Sequence, residues 1–397
     1  MGASTLGAAP TEAAQPAGGV DQKSCDPATA TGVAAFATAL FGKVCEARPD
    51  EPVTVVSPLS IAAALALALA GATGTSATEL TRLLGVPDHA EIARLSETLL
   101  SDNSVTLKIA SSIWLHKTIK DEYILTAQSA HKAVAAPLGT SYAPINAWVA
   151  GATEGKITDL LQGAPDPLVR AVLVNAVYFK GSWAAKFDPA HTRPGTFNAA
   201  GASIPAQFMH RSAKQLPASP SLQTLGGAAA VRLDYGHEDG PFAALLVLPA
   251  DAEATSMAAA VAGLQSGVQH VLDALTPQPT VNLALPRFKA EWGAHSLVPA
   301  LKALGVAHPF NGSGGFLGMS DDPDLHISDV LHKALIEVNE EGTVAAAATA
   351  VIMKTRSLGP PPLRLTFDRP FLMLVVHTPT GLPMFMGRFN LPDLGGD

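Results

Sequence analysis

A chain of 397 residues, 48% apolar and only 15% charged, is not a disordered polypeptide, and it can bury one large core or two to three smaller ones. Its formal charge of −8, from 26 basic and 34 acidic side chains, argues against a general binder of nucleic acid or other polyanions. A local basic patch stays open, although no short window clusters Lys and Arg.

Residues 1–24 are rich in Ala, Gly, Pro and Thr, with only Glu12, Asp21 and Lys23 charged, and read as a flexible leader. They lack the basic start and apolar core of an intact secretory signal. The remnant of one, or an envelope spacer, fits this composition, so the expected location is extracellular or in the cell envelope. Residues 25–397 carry no internal repeat or long charged linker and read as a single domain.

Between Cys25 and Cys45, Val33, Phe36, Ala37, Leu40, Phe41 and Val44 recur at helix spacing. A disulfide could tie Cys25 to Cys45, which would suit an oxidising compartment; two unpaired thiols are the alternative. Without a Cys-x-x-Cys or a nearby pair of histidines, neither thiol points to a metal or a cofactor, and none is expected. The most apolar run, 61–72, is too short to cross a bilayer and follows Pro58, so a buried helix and no membrane partner are expected. Leu80, Leu83 and Leu84, then Ile92, Leu95, Leu99 and Leu100, predict two helices separated by Gly85 and Pro87.

Alternation and β-branched content predict strands over 105–115 and 169–179, with a helix around Trp148 ending near Gly155. Two short strands follow between Ala228 and Pro249, the second at 242–248, and then a helical stretch over 254–275. Strands are predicted at 280–285, 334–338, 363–367, 371–377 and 384–390. Helices first and strands last describe an α+β fold with one shared core.

The segment 340–358 is the least decided and the most informative. Its run of small side chains has no charge and no helical stripe, so strand, helix or exposed loop all fit. An ordinary Ala-rich surface helix or linker has the same composition. Such a run also suits a segment that is extended at one time and buried at another. As a strand it would place Thr343, Ala345, Ala347 and Thr349 on one face, and Val344, Ala346, Ala348 and Ala350 on the other. The first set is small throughout, as a strand sliding between two others needs if it is not to overpack the layer beneath. Arg356 and Ser357 follow, with Arg356 14 residues after Gly342, about 45 Å away along an extended chain.

Flanking residues narrow the choice. Glu337-Val338-Asn339-Glu340-Glu341-Gly342-Thr343 and Phe367-Asp368-Arg369-Pro370-Phe371-Leu372-Met373 resemble the hinge and the C-terminal signature of the serpins. Ser57-Pro58-Leu59-Ser60, Ile145-Asn146-Ala147-Trp148-Val149, Asn175-Ala176-Val177-Tyr178-Phe179-Lys180-Gly181-Ser182-Trp183, Leu285-Pro286-Arg287-Phe288 and Phe385-Met386-Gly387-Arg388 match further motifs in the family's order. The resemblance covers nearly all of the chain beyond its first 30 residues.

That resemblance implies three β-sheets, about nine helices and an exposed reactive-centre loop over 343–362. It also implies a monomeric inhibitor rather than an enzyme. A target protease acylates itself on a bait residue, and the cut loop then enters the large sheet as a new strand and carries the protease with it. Glu340, Glu341, Gly342, Thr343, Val344, Ala345, Ala346, Ala347, Ala348 and Thr349 would form the hinge. Counting from it puts the cut at Arg356-Ser357. A guanidinium pairs bidentately with an acid at the base of a specificity pocket, so a trypsin-like serine protease is the expected partner. Lys354 would select the same class.

Ser57, Ser60, Asn175 and His332 match the family's shutter, although a lone His332 would more often be a satisfied core histidine. Trp183 and the pair Arg287 with Glu340 match its breach, and as a solvated pair these charges would contribute under roughly 1 kcal/mol. Three departures stand out. Val344 replaces a common acidic residue, and Gly359-Pro360-Pro361-Pro362 stiffens and lengthens the loop by about three residues. Region 88–103 lacks the basic helix of heparin-activated members, so no clear heparin site is expected.

The main alternative is a non-inhibitory serpin acting as a chaperone, carrier or protease substrate. Its usual mark, a hinge with bulky or charged residues, is missing from 342–349. An enzyme reading rests on Ser129-Ala130-His131-Lys132, Ser320-Asp321-Asp322 and Lys354-Thr355-Arg356. These approximate a penicillin-recognising set at the wrong spacing.

Overall fold

The computed structural model describes residues 26–199, 201–312, 314–343 and 360–394. Among them, nine α-helices and three sheets make an α+β fold. The six-stranded sheet positions the site. Its path runs Phe288–Ser296, Asp329–Val338, Ala171–Ser182, Thr106–Leu115 and Val134–Pro137, and the two-residue strand Gly342–Thr343 pairs off Ala171–Ser182. Asp329–Val338 and Ala171–Ser182 are parallel neighbours at the centre.

Helix Pro58–Leu69 lies under one face of this sheet. All its residues except Ala63 are buried, which explains why its sequence is apolar on every side. On the opposite face, Ile145 and Val149 of helix Ala143–Ala152 pack on Val172, Val174 and Leu331. Helix Pro27–Ala47 is long and apolar enough to cross a membrane by composition, yet Val33, Ala37, Leu40 and Phe41 are fully buried in the main core.

The seven-stranded sheet runs Val53–Val56, Leu382–Phe389, Phe371–His377, Phe242–Leu248, Ala228–Asp234, Leu216–Leu222 and Thr276–Gln278. Phe242–Leu248 is buried at every position, so it reads in sequence as a continuous apolar run. The four-stranded sheet runs Leu363–Thr366, Val281–Pro286, Ala202–Ala213 and Arg193–Ala199.

Several expectations need correction. The helical stretch predicted over 254–275 is two helices, Ala254–Gly263 and Val268–Asp273, joined by the tight turn Leu264–Ser266. Gly267 makes the break at φ 102°, a conformation that favours glycine. The central strand runs to Ser182, three residues past its expected end at Phe179.

A Cys25–Cys45 disulfide does not fit the fold. The 21-residue helix Pro27–Ala47 begins beside Asp26 and carries Cys45 at its far end, which places Asp26 and Cys45 about 28 Å apart at ~1.5 Å per residue. Cys25 lies outside the described residues, but one peptide link reaches only ~3.8 Å from Asp26, and a disulfide needs Cα atoms within about 7 Å. Cys45 is a free buried thiol, and loss of solvent pushes its pKa up to about 12 despite the nearby Arg388.

Candidate functional site

The central parallel pair is closed below and open above. Asp329 through Ala334 pair with Val172 through Val177, and the direct pairing stops there. Beyond that point the strands part, and the chain leaving Val338 turns back into the gap. Gly342 and Thr343 pair antiparallel with Ser182 and Gly181.

The turn is built by Asn339. Its Oδ1 accepts the N–H groups of Glu341 (3.0 Å) and Gly342 (3.3 Å), while its own N–H donates to the Gly342 carbonyl at 3.0 Å. Position 342 must be glycine. Its φ is 147°, and a Cβ there would lie 2.1 Å from the Gly181 carbonyl oxygen.

Thr343 is completely buried, and its hydroxyl is hydrogen-bonded to the Tyr235 hydroxyl at 2.9 Å. Burial raises the Tyr235 pKa, so the phenol stays neutral. The Tyr235 ring stacks on Trp183 with centroids 4.7 Å apart and planes 12° apart. Gly181 leaves room for that ring, since a Cβ on Gly181 would come within 2.7 Å of it.

Trp183 in turn holds the turn from below. Its indole N–H donates to the Asn339 carbonyl at 3.0 Å and its backbone N–H to the Glu341 carbonyl at 2.9 Å. Both hinge carboxylates are also tied. Glu340 Oε1 accepts the Thr192 hydroxyl at 2.6 Å, and its Oε2 lies 3.5 Å from Arg287 Nε. Glu341 Oε2 lies 2.6 Å from Lys186 Nζ. The Glu340 side chain is only 10% exposed against 35% for Arg287, so the pair is more enclosed than a solvated surface contact.

Six residues down the central strand, about 20 Å away, His332 and Asn175 sit opposite each other across the closed part of the seam. The Ser57 backbone N–H donates to His332 Nε2 at 3.1 Å. Nε2 must therefore carry the lone pair, and the proton is on Nδ1, which donates to Asn175 Oδ1 at 3.0 Å. Asn175 Oδ1 also accepts the Ser60 hydroxyl at 2.6 Å, its amide donates to the Ser60 carbonyl at 2.8 Å, and the Ser57 hydroxyl donates to the Met384 carbonyl at 2.7 Å. All four side chains are buried, and lost solvation lowers the His332 pKa to about 3, keeping the ring neutral.

The fold thus brings Ser57, Ser60, Asn175 and His332 into one network, and Trp183, Arg287, Glu340, Glu341, Gly342 and Thr343 into another. Val344, Ala345, Ala346, Ala347, Ala348, Thr349, Lys354, Arg356 and Ser357 lie outside the described residues. Sequence reasoning missed Tyr235, Thr192 and Lys186. Tyr235 is a lone aromatic in Leu233-Asp234-Tyr235-Gly236, and only its spatial meeting with Trp183 and Thr343 marks it out.

Ser129 and Lys132, two residues of the penicillin-recognising set, are engaged with local backbone. The Ser129 hydroxyl is spent on the Leu125 carbonyl (2.7 Å) and Lys132 Nζ on the Ser129 carbonyl (2.9 Å). Among the described residues no group of three or more His, Cys, Asp or Glu side chains could hold a metal ion.

A family model described as "Serpin (serine protease inhibitor)" matches residues 31–392. Leukocyte elastase inhibitor A of Mus musculus is 33% identical over 376 residues, covering 90% of this chain and 97% of the relative. Serpin B8 of Homo sapiens is 32% identical over 385 residues with the same coverage. Among solved structures, Serpin48 of the insect Tenebrio molitor aligns with a TM-score of 0.79 at 26% identity, over 93% of this chain and 99% of that one.

Proposed function

The chain belongs to the serpin family, and from that premise we propose that it inhibits trypsin-like serine endopeptidases by acylation at Arg356 and insertion of the cut loop. The observation that carries this reading is the register of the hinge. Gly342 opposite Ser182 and Thr343 opposite Gly181 start an antiparallel strand. Continued without a slip, that register sets 345 against 179, 349 against 175 and 353 against 171, the first residue of the central strand. Arg356 then falls three residues past the end of the sheet, having followed a strand that advances about 34 Å at ~3.4 Å per residue. The loop's length therefore matches the strand it would lie beside.

Side-chain size supports the same reading. Residues 345, 347 and 349 would share the face of Phe179, Val177 and Asn175, which looks into the core, and there the sequence has Ala345, Ala347 and Thr349. Insertion separates the six direct pairs from Asp329/Val172 to Ala334/Val177 and breaks the His332–Asn175 hydrogen bond. Thr349 arrives at the level of Asn175, where its hydroxyl supplies the amide with a new partner.

The chemistry is the target's own. Its serine oxygen attacks the Arg356 carbonyl, the Arg356-Ser357 bond breaks, the new amine at Ser357 leaves, and the ester persists because insertion moves the protease before water completes the cycle. The names of relatives point to elastase, whose pocket takes small side chains; in this loop that would shift the cut to a residue such as Val351 or Ala350. Incubation with trypsin, denaturing electrophoresis and the mass of the released C-terminal peptide test both readings. An SDS-stable complex with a peptide beginning at Ser357 supports trapping at Arg356. Clean cleavage without a complex makes the chain a protease substrate, and a peptide beginning elsewhere moves the bait.

A further inference from the structure

We propose that the outer face of the four-stranded sheet, bearing Arg193, His210 and Arg364, is a docking surface for acidic side chains on the target protease. This inference rests on the trapping reading above. Pairing of Asn282 with both Arg364 and Ser212, and of Ala284 with Thr366 and His210, places these residues on one face of the sheet. Arg364, Thr366, His210 and Ser212 are exposed, whereas Leu363, Leu365, Leu283 and Leu285 on the other face turn to the core. Arg193, exposed at the start of the adjoining strand, continues the cationic face.

Charge supports this assignment. His210 is held below its ordinary pKa first by desolvation and then by Arg193 and His191, so at neutral pH Arg193 and Arg364 carry the charge of this face. Among the described residues neither Arg193 nor Arg364 has a carboxylate within 4.0 Å, while Arg232, Arg287 and Arg369 each have one. The nearby acid Asp188 is turned to His191 at 3.7 Å and to the Ala190 N–H at 2.9 Å. In a chain of net charge −8, this face carries two guanidinium groups that have no carboxylate partner among the described residues.

Position selects the partner. The chain enters Leu363–Thr366 directly from the bait loop, and Arg364 is eight residues after Arg356. The two are therefore at most about 28 Å apart. A protease domain more than ~30 Å across, held at residue 356, overhangs this face. Opposite charges there would speed encounter more than they would deepen the final complex.

Anionic and cationic trypsins share an Arg-accepting pocket but differ in surface charge, so trapping rates against the two provide the test. The wild-type chain is expected to trap the anionic form at least about 5-fold faster at low salt, with the gap closing as salt rises. The double variant Arg193→Glu with Arg364→Glu should lose that preference while the stoichiometry of the SDS-stable complex stays unchanged. Should that variant fold poorly, the milder Arg193→Gln with Arg364→Gln should lose about half of the preference on a logarithmic scale. An unchanged preference in variants that melt like wild type overturns the docking surface and leaves the bait intact. Absence of a complex with either trypsin overturns the bait reading, and this surface falls with it. Wild-type retention on heparin that the variants lose, with trypsin rates unchanged, assigns the face to a polyanion and overturns the proposal.

Discussion

His332 and Asn175 are register partners on adjacent parallel strands, and one 3.0 Å hydrogen bond between their side chains closes the seam at that level. The Ser57 contact beside it needs a neutral imidazole, because Nε2 accepts the Ser57 N–H with its lone pair. Protonation of Nε2 would set two donors against each other in a buried site.

A pH dependence follows. Burial holds His332 at about 3, against an ordinary 6.5. As pH falls from 6.5 towards 3, the unfolded chain therefore takes up a proton that the folded chain refuses, and stability declines through that window. It is fully present above 6.5. His131 and His377, both lowered to about 4 chiefly by burial, act in the same direction, so the comparison must be with a variant. Urea midpoints of wild type should fall more steeply between pH 6.5 and pH 4 than those of His332→Gln. Parallel curves would remove His332 from the account.

Thr343→Arg tests the seat of the hinge. A guanidinium has no partner where the Thr343 hydroxyl meets Tyr235, and burying it unpaired costs several kcal/mol, roughly the scale of a broken buried ion pair. The side chain is expected to stay outside the sheet. Trypsin should then cut the loop, and the moles of inhibitor consumed per mole of protease trapped should rise at least about 10-fold. An unchanged ratio would contradict entry by way of Thr343.

Tyr235→Phe removes one oxygen and keeps the ring. The Thr343 hydroxyl is left unpaired in a buried position, a loss of about 1–3 kcal/mol in chemical unfolding. Tyr235→Ala also removes the ring stacked on Trp183 and should be worse. Red-shifted Trp emission is expected in the alanine variant but not in the phenylalanine one, which separates loss of the hydroxyl from collapse of the stack.

Gly342→Ala places a Cβ 2.1 Å from the Gly181 carbonyl at a φ of 147°, so the turn cannot stay where it is. Strain at such a position is of order 1–3 kcal/mol before the clash is counted. Hydrogen exchange at the Trp183 amide, which donates to Glu341, should quicken by about 10-fold or more. Exchange at Val174, deep in the closed part of the seam, should not change.

Parts of this architecture were legible because they are local. The buried helix Pro58–Leu69 and the all-apolar strand Phe242–Leu248 each write their pattern into consecutive residues. The network of Ser57, Ser60, Asn175 and His332 was legible only through a resemblance to a family, since its hydrogen bonds join residues 115, 157 and 275 positions apart. Arg193–Ala199 escaped notice because Phe197 is its one buried residue, so no alternation appears. The Cys25–Cys45 pairing does not fit because helix Pro27–Ala47 fills nearly the whole interval, whereas the helical pattern seen in sequence began only at Val33 and left residues 26–32 room to double back. The cationic face was invisible for the opposite reason: Arg193, His210 and Arg364 come from three separate strands, and no window of sequence holds them together.

A device that must close before its acyl bond is hydrolysed is judged by time. In most zippering processes the slow event is finding the first correct pair, because a free chain end must search for it. Here Gly342 and Thr343 already occupy that pair, clamped over Trp183 and Tyr235. On the trapping reading proposed above, the search would be finished before any protease arrives, and cleavage would start the race with the leading tooth engaged.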